Sequence, residues 1–571
     1  MLYALFLSVA QAGTWPPGTV INPGLSVDIT KGGFDAVADL IPVLLPTSVP
    51  IGDVGGGDPG LFDQCWLGGY EYSLTNGNVS IEVVGASITP GDGLLEIDAQ
   101  LMVSVNKPSD MFDLYFELEC LGDTCAGYVE PFPVDVHTSM RLSIVDDGAG
   151  HRTLDATMGE IVVTYELDGA NDIYLEGCTI GDIEEVLNYV GISLYDLLIS
   201  AVSGTLEEQI ASMGPTLEEA IEDAFASASI EQDLDLNGVT VHLLVQPSNV
   251  EITPESLRLW MEGSFDGTAA ECIAAYDAGG SLRTDSELPA PGDIPSGISS
   301  DYHAGVMIGD DFANSALYAL WRGGLLCYAV DAESSPIPLD TTILNVLTGD
   351  AFAPLFSGTQ PVSLVTRPLA PPTVAYTGDH DIGVQIDDLN LDFYAELDGR
   401  PARIISIGLD GNAGADLSLD GTTGSLAIAV DLDPAKFIPT VSYNEIEPSA
   451  NDTVAEKFGA LFGTVLDSVV GGLLEGLEFA LPSISGLGLT DLEVAANGAD
   501  KDWLGAYAWL GPVEYTGGSC GSCGGGCGGD TGSVDTGGSS CSGGGCATVP
   551  VAPWIAALAG ATLWLRRRAA A

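Results

Sequence analysis

Between Gly13 and Tyr515 the chain is mostly alternating apolar and polar residues, in runs bounded by Gly, Asp, Asn and Pro. Ser80-Ile-Glu-Val-Val-Gly-Ala-Ser-Ile88 and Leu94-Leu-Glu-Ile-Asp-Ala-Gln-Leu-Met-Val-Ser-Val105 are two such runs. Val239-Thr-Val-His-Leu-Leu-Val245, Leu257-Arg-Leu-Trp-Met261 and Leu389-Asn-Leu-Asp-Phe-Tyr-Ala395 are others. A period of two puts successive side chains on opposite faces, which predicts half-buried antiparallel strands.

Two segments switch to the helical period. After Ser193 the apolar residues fall at Leu194, Leu197, Leu198, Ala201, Val202, Leu206, Ile210 and Met213, then past Gly214-Pro215 at Leu217, Ala220, Ile221, Ala224 and Phe225. This predicts a long helix kinked at the proline, which can neither donate to the preceding turn nor fit against it. The second helix is expected from about Asp452 through Val454, Phe458, Leu461, Phe462, Val465, Leu466, Val469, Val470, Leu473 and Leu477. Gly459, Gly463 and Gly471-Gly472 leave room there for another backbone.

The same series of elements is predicted twice. The first helix leads to strands at Leu236–Gln246 and Leu257–Phe265 around a turn at Pro247–Pro254. The second leads to strands at Leu487–Ala496 and Trp503–Leu510 around Asn497–Asp500. The openings match as well. Leu25-Ser-Val-Asp-Ile29 precedes Gly33-Phe34 and a short helix with Val37, Leu40 and Ile41. Gly305-Val-Met-Ile308 precedes Asp311-Phe312 and a helix with Ala316, Leu317 and Leu320. Asp285-Ser-Glu-Leu-Pro-Ala-Pro-Gly-Asp-Ile-Pro-Ser-Gly297 is a Pro-spaced linker between the copies. The expected class is α+β, a tandem duplication with domains at 13–284 and 299–515 joined by 285–298.

Composition narrows the setting. With 16 Lys+Arg against 81 Asp+Glu the formal net charge is −65, which argues against nucleic acid and anionic membrane faces as partners. Since 46% of the 571 residues are hydrophobic and 17% charged, the chain is not a disordered acidic tail.

The ends predict an address. Residues 1–12 are a short apolar run closing on Ala10-Gln11-Ala12, an export-signal pattern. Residues 516–546 are mostly Gly, Ser and Cys, a flexible tether of about 30 Å root-mean-square span. Residues 547–571 hold an uncharged stretch from Ala547 to Leu565, followed by Arg566-Arg567-Arg568. As a helix the stretch is about 28 Å long, enough to span a bilayer core, and the arginines would stay cytoplasmic. Cys520-x-x-Cys523 lacks a following His and an ordering apolar shell, so no metal site is expected there.

The order Cys, hydrophobic segment, Arg cluster resembles the MYXO-CTERM surface-sorting tail of myxobacteria. That resemblance implies a sorting protease as partner, processing or lipid anchoring at Cys541 or Cys546, and loss of the membrane segment in the mature protein. The implied location is the cell surface or outer membrane of a Gram-negative bacterium, or the medium after the tail is cut.

The folded region resembles the bactericidal permeability-increasing protein family, with its lipopolysaccharide-binding and lipid-transfer relatives. The resemblance rests on Asn22-Pro23-Gly24-Leu-Ser-Val-Asp-Ile-Thr-Lys-Gly-Gly-Phe34 and on His303-Ala-Gly-Val-Met-Ile-Gly-Asp-Asp-Phe-Ala-Asn-Ser-Ala316. The closing Leu473-Leu-Glu-Gly-Leu-Glu-Phe-Ala-Leu-Pro-Ser-Ile-Ser-Gly-Leu-Gly-Leu-Thr-Asp-Leu492 completes it. It implies two tandem tubular lipid-binding domains in an elongated boomerang, each a twisted antiparallel sheet wrapped on a long helix. Each would leave an apolar groove for a phospholipid or other acyl lipid. The groove-lining candidates are Val37, Leu40, Ile41, Leu194, Leu198, Val202, Leu317, Leu320, Phe458, Phe462 and Val465; plain core packing is the alternative for each. Family members that bind endotoxin carry a basic tip. Here the N-terminal half has lysine only at Lys31 and Lys107, so that activity is not carried over.

Six cysteines precede the tail: Cys65, Cys120, Cys125, Cys178, Cys272 and Cys327. In the family a disulfide ties a strand to the first long helix, a part Cys178 would play with Cys120 or Cys125. Cys272–Cys327 would tie the two halves, and free buried thiols are the alternative.

No cofactor and no catalysis are expected. Gly55-Gly-Gly57-Asp-Pro-Gly60 reads as a loop, and Ser104-Val-Asn-Lys107 as a strand end running into Pro108. The five histidines are scattered, and Asp379-His380-Asp381 reads as a surface turn rather than a metal site. The rival readings are an adhesive or structural surface protein with filled grooves and, more remotely, a hydrolase.

Overall fold

A computed structural model of the chain describes residues 13–512 apart from 40–46, 52, 59–68, 119–120, 147, 149, 167–171, 237, 278, 285, 333–338, 421–424, 470–476 and 481–486. Of 178–228 it describes Ile199, Gly204, Ala211, Gly214, Pro215 and Glu218 alone. The expected export signal, tether and membrane segment therefore lie outside the described residues.

The architecture is built around a central antiparallel sheet. Its strands are β1 (Ile21–Thr30), β2 (Ile230–Leu236), β3 (Val239–Ile252), β4 (Ser256–Gly267), β5 (Ala304–Gly309), β6 (Leu487–Asn497) and β7 (Trp503–Pro512). They run in the order β2-β3-β4-β1-β5-β7-β6. The two opening strands lie side by side at the centre, with Val27 opposite Val306. β1 pairs on its other side with the hairpin β3–β4, and β5 with the hairpin β6–β7.

Each opening strand runs straight into a helix. Helix α1 (Lys31–Ala38) follows β1 and starts where the Thr30 hydroxyl accepts from the Gly33 amide at 3.3 Å. Helix α2 (Asp310–Arg322) follows β5, with two aspartates in its first turn and Arg322 in its last, each suited to the helix dipole. Helix α3 (Thr341–Thr348) is capped by Asp340 and ends at Gly349, whose φ of 62° favours glycine. Helix α4 (Asn451–Val469) is the longest described, at 19 residues.

An end sheet lies to either side of the centre. The first has ten strands between Ser48 and Glu176, and its spine is Leu121–Asp146, 26 residues long. One side of the spine pairs with Leu95–Val105, and Arg152–Met158, Val162–Tyr165 and Ile173–Glu176 also pair along it. The pairing with Leu95–Val105 slips between Phe132 and Val129, where Pro131 has no N–H to give the ladder. The second end sheet has eight strands and a 21-residue spine, Arg400–Asp420, which pairs with Ile382–Leu397, Ser425–Asp431 and Phe437–Tyr443.

Several expectations shift. The predicted turn at Pro247–Pro254 shrinks to the residues after Ile252, because β3 absorbs Pro247 in a bulge and continues. Leu477 belongs to a strand, Leu477–Ala480, paired with Ser425–Ile428, rather than to the second helix. The Gly55–Gly57 run is not a loop. It is part of the strand Val54–Asp58, which pairs with Tyr70–Thr75. A Cβ at Gly57 would lie 2.3 Å from the Tyr70 carbonyl oxygen and one at Gly56 2.9 Å from the Tyr72 hydroxyl, so the glycines allow this pairing. Of the first predicted long helix, Ile199, Gly204, Ala211, Gly214, Pro215 and Glu218 are helical, and the rest lies outside the described residues.

Candidate functional site

Along β1 the alternation works as read from the sequence. Leu25, Val27 and Ile29 enter a core with Leu243, Val245, Leu257, Leu259, Phe34 and Phe312. Phe265 and Phe312 pack with ring centroids 4.9 Å apart, joining the hairpin β3–β4 to α2. The polar positions on the opposite face, Ser26 and Asp28, are buried as well.

What covers them is the linker. Leu288, Ile294 and Ile298 pack on Tyr302, Met307, Trp503 and Tyr507, and the Asp293 carbonyl accepts from Asn497 at 2.9 Å. Beneath the strap, Arg258 of β4 grips Asp28 of β1 with two hydrogen bonds of 2.6 and 2.5 Å. Both side chains are 2% exposed, and the third guanidinium nitrogen donates to the Pro289 carbonyl of the linker. Burial, then the nearby Asp28 charge, pushes the Tyr302 phenol up to about 12.

At the start of α2, Thr284 donates from its hydroxyl to Asp310 at 2.8 Å and to Asp311 at 3.0 Å. Burial pushes the Asp310 carboxyl up to about 6. The Cys272–Cys327 disulfide lies just beyond α2, against Ala270 and Leu326. Cys125 is also disulfide-bonded, to a cysteine outside the described residues. Cys65, Cys120, Cys178, Cys541 and Cys546 lie outside them too.

The groove candidates divide by position. Val37 is half-buried on α1, whereas Leu40, Ile41, Leu194, Leu198 and Val202 lie outside the described residues. Close to the last three, Ile199 packs on the first end sheet's core of Leu101, Val103, Phe116 and Val134. Further on, Glu218 accepts from the Met158 amide at 2.6 Å. Helical residues of this segment therefore do lie against the sheet.

On α2 Leu317 and Leu320 are half-buried, with Leu320 against the central core. Phe458 is 4% exposed within the cluster of Leu344, Ile405 and Ile407, and half-buried Phe462 packs at its margin. Val465 lies on α4. Phe462 sits between Phe437 and Phe458, at centroid distances of 5.4 and 5.6 Å.

His380 lies in a bend, as the reading of 379–381 as a surface turn expected, and links neighbouring strands. His380 meets Asp416 at 3.0 Å and Asp431 at 3.0 Å, and Lys436 meets the same Asp431 at 3.0 Å. Asp381 in turn accepts from the Leu417 amide. The hydrogen bond to Asp416 raises the His380 pKa, so the imidazolium is favoured here. Among the described residues no three of His, Cys, Asp and Glu are placed to hold a metal, and no helix is long and apolar enough to cross a membrane.

Three large antiparallel sheets, a shared central one and an end sheet with a packed helical segment on either side, make a recognisable plan. The fold is similar to that of lipopolysaccharide binding protein. The TM-score to that crystal structure is 0.52 at 14% sequence identity, over 86% of this chain and 100% of the other. P47 of Clostridium botulinum E1 matches at TM-score 0.23 and 10% identity, over 86% of this chain and 100% of that one. Takeout 1 of Epiphyas postvittana matches at 0.18 and 12%, over 30% and 81%. Both scores are too low to inform the fold. No family model and no curated protein matches the chain. At 14% identity the likeness to lipopolysaccharide binding protein concerns the fold and assigns no residue a role.

Sequence reasoning missed Phe437 and the Asp28–Arg258 pair. Phe437 opens an alternating strand, Phe437–Tyr443, and the aromatic at its head was the available signal. For the ion pair there was none. Both residues occupy polar positions of alternating strands, and it is the linker, distant in sequence from Asp28, that takes them out of water.

Proposed function

We propose that this chain binds acyl lipids in apolar grooves, one in each of two tandem tubular domains, 13–284 and 299–515, and that it does so without catalysis. The observation that carries the reading is the plan itself: two long-spined sheets, each with helical residues packed on it, flanking one shared sheet in a fold like that of lipopolysaccharide binding protein. Such helix–sheet seams suit acyl chains, since each buried methylene contributes about 0.8 kcal/mol. Val37, Leu317, Leu320 and Phe462 are half-buried on helices and are the lining residues we favour. The reading includes a long first helix, an elongated shape and transfer of lipid between membranes, and it leaves out nucleic acid as a partner.

We further propose an exported protein, held at the cell surface by the C-terminal segment or released after cleavage near Cys541 or Cys546. Native mass spectrometry of the purified chain, with uptake of a fluorescent acyl probe, tests the lipid reading. Co-purifying lipid and saturable uptake are expected; their joint absence would overturn it. A second reading, a surface structural protein with filled grooves, is favoured by Phe458, a helix candidate that sits in a closed core. It predicts intact folding with no uptake.

A further inference from the structure

We propose that the lipid bound by this chain carries no net negative charge in its headgroup, and is an uncharged or zwitterionic acyl lipid rather than an anionic one. The inference rests on the lipid-binding reading above and concerns which lipid those grooves accept.

It starts from where the cations are. Of the 16 Lys+Arg, three form the terminal triplet, which leaves 16 − 3 = 13 in the body, every one of them among the described residues. Most are already held by the protein. Arg152 pairs with Glu262, Arg258 with Asp28, Arg322 with Asp277, and Arg367 with Asp392. Arg403 reaches the same Asp392 and lies over the Tyr443 ring, and Lys436 pairs with Asp431. Arg283 lies over the Trp15 ring, and Lys457 donates to the Val346 carbonyl. A guanidinium already gripped by a carboxylate has fewer free donors and less uncompensated charge to offer a phosphate.

Lys31, Lys107, Arg141, Arg400 and Lys501 remain, on five different elements. They stand at the first position of α1, in the turn after Leu95–Val105, on the first spine, at the start of the second spine and in the β6–β7 turn. Recognition of a phosphate or carboxylate headgroup uses convergent donors, usually a bidentate arginine or several N–H groups. Lys107 and Arg141 stand at opposite ends of Leu95–Val105, Lys31 and Lys501 at opposite ends of β5, and Arg400 in the second end sheet, so the five are spread and do not form one cluster.

Helix N-termini are the other common anion sites, and among the described residues each α-helix start is spoken for. Thr30 caps α1 and Asp340 caps α3. Asp310 and Asp311 occupy the first turn of α2, and Asp452 that of α4. Beyond the first contacts stands the field of 81 acidic residues, which repels an approaching anion over roughly a Debye length, about 8 Å at physiological salt.

The test is displacement of a fluorescent acyl probe from the full chain by lipids with identical acyl chains, in low salt with a chelator present. The competitors are diacylglycerol, phosphatidylcholine, phosphatidylglycerol and phosphatidic acid. The first two are expected to compete at least about tenfold better than the anionic pair, with the gap narrowing at high salt. Equal or better displacement by phosphatidylglycerol or phosphatidic acid would overturn the inference. If the probe never enters, all four fail alike, and the lipid-binding reading falls together with this inference.

Discussion

The central sheet and the two end sheets use the same alternating strands to different ends. In the centre both faces are covered, by α1 and α2 with the main core on one side and by the linker on the other. Its polar face holds a bidentate ion pair at 2% exposure. The second end sheet also buries a carboxylate, Asp392, but its partners Arg367 and Arg403 reach the surface, the His380–Asp416–Asp431 set is half-exposed, and aromatics such as Phe462 lie at the margin of the core. The difference teaches that burial here is decided by what crosses a strand, since the strand patterns themselves are alike. The join is fixed by buried polar and covalent contacts. The ends are held mainly by apolar packing.

The largest effect is expected at the centre. Arg258→Ala strands Asp28 under the linker and should cost about 3–5 kcal/mol in chemical denaturation. Arg258→Met combined with Asp28→Leu should recover most of it. A single-variant loss below about 1 kcal/mol would mean that water reaches the pair. Next comes the disulfide. Cys272→Ser with Cys327→Ser, opening a link across 55 residues of sequence, should lower stability by about 2–4 kcal/mol. An unchanged denaturation midpoint would show that the linker strap alone fixes the join.

At the second end, Phe462→Ala removes a half-buried ring and should cost about 1–2 kcal/mol. If the ring lines a groove, probe uptake should fall by more than this loss of stability explains. The smallest effect is conditional on pH. The folded-state pKa of His380 is raised from 6.5, first through its bond to Asp416, so its contribution is fully present below 6.5 and is lost as pH rises through the folded value. His380→Gln should therefore lower Tm at pH 5.5 and make little difference at pH 9. A Tm difference that holds constant across this range would assign the residue a packing role instead.

Much of this plan was legible because strands and hairpins are local. The runs at Leu94–Val105, Val239–Val245 and Leu257–Met261 read out as strands directly. So did the matching order of opening strand, short helix and closing hairpin. The misreadings came from prolines and glycines whose meaning depends on a neighbour. Pro247 marked a bulge inside β3 instead of a turn, and Gly55–Gly57 marked a strand lying close against Tyr70 and Tyr72. Long-range covering was beyond reach as well. Nothing in Ser26 or Asp28 announces that residues 288–298 will lie over them. The groove candidates were the least legible, because the helical period that selects a lining residue selects a core residue equally well. Phe458 and Phe462, one turn apart on α4, fall on either side of that line.

The pairing of β1 with β5 has a consequence for self-association. Expressed alone, either half would end its sheet at that strand, with a row of unpaired amides and carbonyls open to another copy. Two copies meeting there would form a symmetric dimer. Fused into one polypeptide, the halves meet at unimolecular concentration, and the most adhesive edge of each is consumed inside the molecule. The seam at Val27 and Val306 thus hides, within one chain, the strand edge that would otherwise be most open to a second copy.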